Sequence, residues 1–163
     1  MLHFGIDIGT STMKLLVLDR ESVVWSWEAL HHEQPAAVIR EGLLEMKKSI
    51  SEPAFAVGFT GVHAQFFHQM LPESGFLEDV PAIVEGTGLL VLDAKSIIEI
   101  GSQGSRFITR LDQVPQFATN GHCAGGTGSF FEDQMSRLGL RMESYSELTE
   151  QAKSIPRLSG RCS

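Results

Sequence analysis

The sequence predicts an α/β fold, a mixed sheet flanked by helices. Two features of the pattern predict it. Short apolar runs, alternating and rich in branched residues, begin at Leu2 and recur after polar, glycine-containing turns, and helical periodicity then alternates with further strand-like runs from Pro35 onward.

Leu2 to Ile8 reads as the first strand, Gly9-Thr10-Ser11-Thr12 as a turn, and Met13 to Leu18 as the return strand. A polar turn at Asp19-Arg20-Glu21 leads into Ser22–Leu30, a third strand carrying Val23, Val24, Trp25 and Trp27, so the chain opens as an antiparallel meander. Pro35 starts a helix with Val38, Ile39, Leu43, Leu44 and Met46 on one face, proline being suited to a first helical turn. Ala54–Thr60 is a buried strand ending at Gly61, and Pro81 to Leu92 is helical. Ser96 to Ile100 is a strand stopped by Gly101, with Arg106 to Arg110 returning antiparallel to it. Gly126 to Leu138 forms a helix through Phe130, Phe131, Gln134, Met135 and Leu138, and Ser144 to Lys153 a shorter one. No internal repeat or low-complexity stretch is visible.

A length of 163 residues suits one domain. Hydrophobic residues at 42% and charged residues at 20% are ordinary for a globular chain. The formal charge of −7, from 13 basic and 20 acidic residues, argues against nucleic acid as a partner. No apolar run approaches the roughly 18–20 residues of a membrane span, and the start lacks a basic leader, so the expected location is cytoplasmic. Cys123 and Cys162 are too few for a disulfide scaffold.

Three glycine-rich turns carry the chemistry. In Gly5-Ile6-Asp7-Ile8-Gly9-Thr10-Ser11-Thr12-Met13-Lys14 a tight turn offers backbone N–H groups to a phosphate, Asp7 suits Mg²⁺, and Lys14 balances phosphate charge. An ordinary β-hairpin fits the same residues, but an acid on an apolar strand is costly unless used. Ile97-Ile98-Glu99-Ile100-Gly101-Ser102-Gln103-Gly104-Ser105-Arg106 repeats that grammar, and two such turns suit the two ends of a phosphate chain. Asn120-Gly121-His122-Cys123-Ala124-Gly125-Gly126-Thr127-Gly128 sets a cysteine before a helix start, where free N–H groups and the helix dipole favour a phosphate, a thiolate or an anionic metal–sulfur cluster. A buried cysteine beside a tight helix entry fits it too.

On Gly5–Lys14, Ser96–Gly101, Asn120–Glu132 and Ser159–Cys162 the chain resembles the BadF/BadG/BcrA/BcrD ATPase family: activators of 2-hydroxyacyl-CoA dehydratases, components of benzoyl-CoA reductases and long multi-repeat relatives. The Asn120–Gly128 signature is the specific part, closest in form to the long relatives. The resemblance implies a ribonuclease-H-like lobe of the acetate and sugar kinase, chaperone and actin superfamily, with a five-stranded type of mixed sheet. Under it residues 1–163 form a first ATP-binding lobe, cut near the second cysteine and lacking the adenosine-binding lobe, so that this piece alone is inactive. It implies catalytic roles for Asp7, Glu99 and Gln103. It places Gly9, Thr10, Ser11, Thr12 and Lys14 in the first phosphate loop, Gly101 and Ser102 in the second, and Gly125, Gly126, Thr127 and Gly128 at the third turn. ATP and Mg²⁺ are the implied cofactors, together with a [4Fe–4S] cluster that bridges a homodimer through Cys123 and Cys162 of each protomer. The implied function is ATP-driven donation of a low-potential electron to an acyl-CoA dehydratase or reductase. Gly104 stands where the family carries an acid, Arg106 where a lysine is common, and Thr60-Gly61-Val62-His63 differs from the family's turn there. A sugar-type kinase and a non-catalytic redox-sensing or scaffold module are the rival readings.

His31-His32, His63, His68 and His122 lack metal-ligand spacing and read as surface or loop residues. Trp25 and Trp27 read as packing, and the Phe66-Phe67 and Phe130-Phe131 pairs as core.

Overall fold

The computed structural model describes residues 1–51, 55–120 and 127–155. The contacts divide the chain into two compact units, Met1–Ala94 and Lys95–Ser163, where the sequence suggests one domain.

The first unit is a five-stranded mixed sheet in the order β3-β2-β1-β4-β5. β1 (Leu2–Ile8), β2 (Thr12–Asp19) and β3 (Ser22–Leu30) form the expected antiparallel meander, and β4 (Phe55–Thr60) joins parallel to β1. A two-residue β5 (Gly75–Phe76) extends β4 in parallel. The pleat sorts the side chains. Phe4, Ile6 and Ile8 of β1 and Met13, Leu15 and Val17 of β2 are buried on one face, each two residues from the next. Trp25 and Trp27 pack against the same cluster, as expected of them.

α1 (Pro35–Ser49) covers that face with Val38, Gly42 and Met46. Gly42 is a packing requirement, since a Cβ there would lie 2.1 Å from Leu15 Cδ1 and 2.8 Å from Trp27 Cζ3. Lys47 and Lys48 in its last turn complement the helix dipole. No periodic pattern announces α2 (Ala64–Met70), whose seven residues include only Ala64 fully buried. Its Phe67 packs on the core, whereas Phe66 is 62% exposed, against the expectation that both are core. α3 (Asp79–Leu90) replaces the helix expected over 81–92.

The second unit holds a three-stranded antiparallel sheet, β6 (Ser96–Ile100), β7 (Ser105–Thr109) and β8 (Gln116–Thr119), of which β8 is unexpected from the sequence. α4 (Gly128–Arg137), a single 3₁₀ turn at Met142–Ser144 and α5 (Tyr145–Glu150) follow. Ile108, Thr127 and Met135 are its buried residues among those described.

Among the described residues no helix is long and apolar enough to cross a membrane.

Candidate functional site

The two turns expected to bind phosphate are built alike. In the first unit Asp7 pairs with Lys14 across β1 and β2, and Lys14 Nζ stands 3.4 Å from Asp7 Oδ2. The turn between them is closed by Gly9 N–H donating to the Thr12 carbonyl at 3.0 Å. In the second unit Glu99 pairs with Arg106 across β6 and β7, with Arg106 Nη1 3.8 Å from Glu99 Oε2. Gly101 N–H donates to the Gly104 carbonyl at 2.8 Å. In each hairpin the acid lies two residues before the glycine and seven before the base. Although no repeat is visible in the sequence at large, the local hairpin recurs in register.

The carbonyls of both turns are tied back, and this sets where their amides point. In a planar trans peptide the C=O of one residue and the N–H of the next face opposite ways. Gly9 C=O accepts from His31 Nε2–H at 3.0 Å, and Ser11 C=O accepts from His31 backbone N–H at 2.9 Å. The Thr10 and Thr12 N–H groups therefore face away from His31. In the second turn Gly101 C=O accepts from Gly128 N–H at 2.8 Å and Ser102 C=O from Ser129 N–H at 3.0 Å, with the Ser129 hydroxyl also donating to Ser102 C=O. Ser102 and Gln103 N–H are turned outward in the same way.

These bonds alter the reading of the third turn. Gly128 and Ser129 open α4, and their N–H groups are engaged by carbonyls of the second turn. Thr127 is fully buried, and a Cβ on Gly128 would sit 3.2 Å from the Gly101 carbonyl oxygen. Gly128 thus seats the helix on the hairpin. Cys123, Cys162, Gly125 and Gly126, named from the sequence as ligand and anion-binding positions, lie outside the described residues.

Asp7 also faces β4, in register with Thr60. Gly61, next in the chain, has φ +101, and a Cβ on it would fall 2.3 Å from the Ile8 carbonyl oxygen. Only glycine lets this turn close against the end of β1. Thr60 Oγ1 is shielded from solvent and meets no hydrogen-bond partner among the described residues. Such a hydroxyl is costly to bury unless something else satisfies it. Beside it lies an open groove of about 930 Å³ along the sheet face opposite the core, bordered by Asp7, Lys14, Glu28, Thr60 and Glu85 over a floor that includes Gly5 and Gly58. Three carboxylates face one ammonium there. That balance disfavours a bare polyphosphate.

His31 lies in the loop between β3 and α1, within the expectation of a surface or loop residue, but it is buried at 2% exposed rather than on the surface. The signal for it is indirect: the meander register, Thr12 opposite Leu30, sets residue 31 opposite residue 11. His68 is also structural, its Nδ1 2.9 Å from Ser74 Oγ and its ring stacked on Phe76. Among the described residues no three or more His, Cys, Asp or Glu gather as a metal site.

The chain is 26% identical over 171 residues to the activator of lactoyl-CoA dehydratase of Anaerotignum propionicum, covering 99% of this chain and 63% of that protein. It is 25% identical over 169 residues to one of the subunits of benzoyl-CoA reductase of Thauera aromatica, covering 97% and 58%. Among solved structures it resembles the activator of 2-hydroxyisocaproyl-CoA dehydratase from Clostridium difficile with bound ADPNP, at a TM-score of 0.81 and 19% identity over 99% of this chain and 61% of that one. Component A of (R)-2-hydroxyglutaryl-CoA dehydratase from Acidaminococcus fermentans follows at 0.76 and 20%, over 99% and 63%. These likenesses show the fold, a mixed α/β architecture shared with those proteins. The chain spans 63% and 58% of the length of the two curated relatives. The model of the BadF/BadG/BcrA/BcrD ATPase family matches residues 4–163, and the chain belongs to that family.

Proposed function

We propose that the full-length protein is a cytoplasmic ATPase that carries a [4Fe–4S] cluster and activates a 2-hydroxyacyl-CoA dehydratase or related reductase by passing it one low-potential electron. The recurring hairpin carries the ATP half of this reading, since acid, glycine and base return at one spacing in two turns whose carbonyls are held back. Thr10, Ser11 and Thr12 in the first turn, and Ser102 and Gln103 in the second, would offer backbone N–H groups to phosphate, while Gly9 and Gly101 spend theirs on closing the turns. Asp7 would hold Mg²⁺ directly or through water while Lys14 balances phosphate charge, and Glu99 would orient the attacking water with Gln103. The Thr60 hydroxyl beside Asp7, without a partner among the described residues, fits a site completed by a hydrated metal–nucleotide complex.

Cys123 and Cys162 would supply two thiolates from each protomer, and two protomers the four that such a cluster takes, which supports a homodimer. When bound, the cluster supplies a one-electron couple. Relatives described as an activator of lactoyl-CoA dehydratase and a component of benzoyl-CoA reductase support the choice of partner.

Iron and acid-labile sulfide, measured after anaerobic reconstitution of the full-length protein together with its dimer mass, test this reading. About four irons per dimer are expected, lost in Cys123→Ser and in Cys162→Ser. A folded, iron-free protein that still turns over ATP would point to a sugar-type kinase instead. An intact cluster without ATP hydrolysis would point to a redox-sensing or scaffold module.

A further inference from the structure

We infer that His31 is the positioning residue of the first phosphate turn, holding the Gly9 carbonyl so that the turn's amides stay aimed at the anion. The inference rests on the assignment of that turn to phosphate. His31 follows the last residue of β3, and its backbone N–H reaches the Ser11 carbonyl at 2.9 Å as the final rung of the β2–β3 ladder. Its side chain continues past that rung to the Gly9 carbonyl, 3.0 Å from Nε2. A carbonyl only accepts, so Nε2 carries the proton. Nδ1 is buried without a partner among the described residues, so a proton there would be a buried donor lacking an acceptor. The bond to Gly9 therefore puts a proton on Nε2 and holds the ring in one orientation.

Comparison of the two hairpins gives the role. The second turn has its carbonyls tied by two backbone amides at the start of α4. The first has one backbone amide, from residue 31, and among the described residues a side chain does the same work for its Gly9 carbonyl. Without the imidazole, the Gly9–Thr10 peptide is free to rotate, and a rotation that turns the carbonyl outward presents oxygen where the phosphate requires an N–H. The histidine touches no phosphate itself. It acts through the peptide.

The experiment has two arms. A long-range ¹H–¹⁵N spectrum of the full-length protein, free of nucleotide, reads the His31 tautomer. Nε2–H with a bare Nδ1 is expected, and Nδ1–H would overturn the inference. Titration with Mg-ATP then compares wild type with His31→Leu, which removes the donor, and His31→Gln, whose Nε2 donor reaches a similar position. The Leu variant is expected to bind about tenfold more weakly and the Gln variant within about threefold of wild type. Equal affinity in all three, or equal weakening in both variants, overturns the inference. Rescue by Gln is what a merely space-filling histidine would not show. If the Leu variant fails to fold, the Gln variant and the tautomer decide. If wild type itself binds no Mg-ATP, the assignment of the turn to phosphate has failed, and the inference fails with it.

Discussion

Asp7 and Thr60 sit side by side at the ends of adjacent parallel strands, and their environments make them chemically different. The Asp7 carboxylate is 37% exposed and only loosely engaged by Lys14 at 3.4 Å, so losing that ammonium costs it little. Asp7→Asn keeps the shape and removes the charge. It is expected to lower Mg-ATP turnover about a hundredfold while leaving iron content unchanged, and unchanged turnover would refute the role given to Asp7. Thr60 carries a shielded hydroxyl without a partner among the described residues. Thr60→Val should leave thermal stability equal or higher, because an unsatisfied polar atom is removed, and should weaken Mg-ATP binding a few-fold. A clear loss of stability would show that the hydroxyl is already satisfied in the free protein.

At the scale of elements the glycines set how closely parts approach. Gly61 closes the β4–α2 turn on Ile8, and Gly61→Ala combines a disfavoured φ with a backbone clash. A destabilisation of about 1–3 kcal/mol is expected from denaturant unfolding, and an unchanged midpoint would mean that the turn has an alternative path. Gly104 is different. A Cβ there meets nothing within 4 Å, so the missing acid of the second turn is no steric necessity. The helices divide by legibility. α1 is plain in the sequence because fifteen residues show a periodic apolar face after a proline, whereas seven-residue α2 offers too few turns for a period to register. β5 and β8, of two and four residues, fall below the same threshold.

For the molecule as a whole, the division at residue 94 gives stability a local character. β1 lies between β2 and β4, and its apolar face is buried, so its amides have bonded strands on both sides. Native-state hydrogen exchange is expected to be slowest over Phe4–Ile8 and Met13–Val17 and distinctly faster over Tyr145–Glu150, where no residue is buried. Uniform protection across both units would show one cooperative body. The sequence suggests a single domain over the whole length because it contains no recognisable linker. Compact units need none when a short polar turn joins them, and Asp93-Ala94-Lys95 leaves no compositional mark.

The sequence by itself determined the meander, the main helix, both acid–glycine–base hairpins and the family. Each is written in residues close together in the chain, where periodicity and turn chemistry act directly. The tertiary structure alone decided that His31 is buried against Gly9, that the start of α4 is engaged by the second turn, and that Thr60 stands unsatisfied beside Asp7 among the described residues. The partners in these three cases are separated by 22, 27 and 53 residues. Their meeting depends on strand register and helix docking, which a local pattern does not encode.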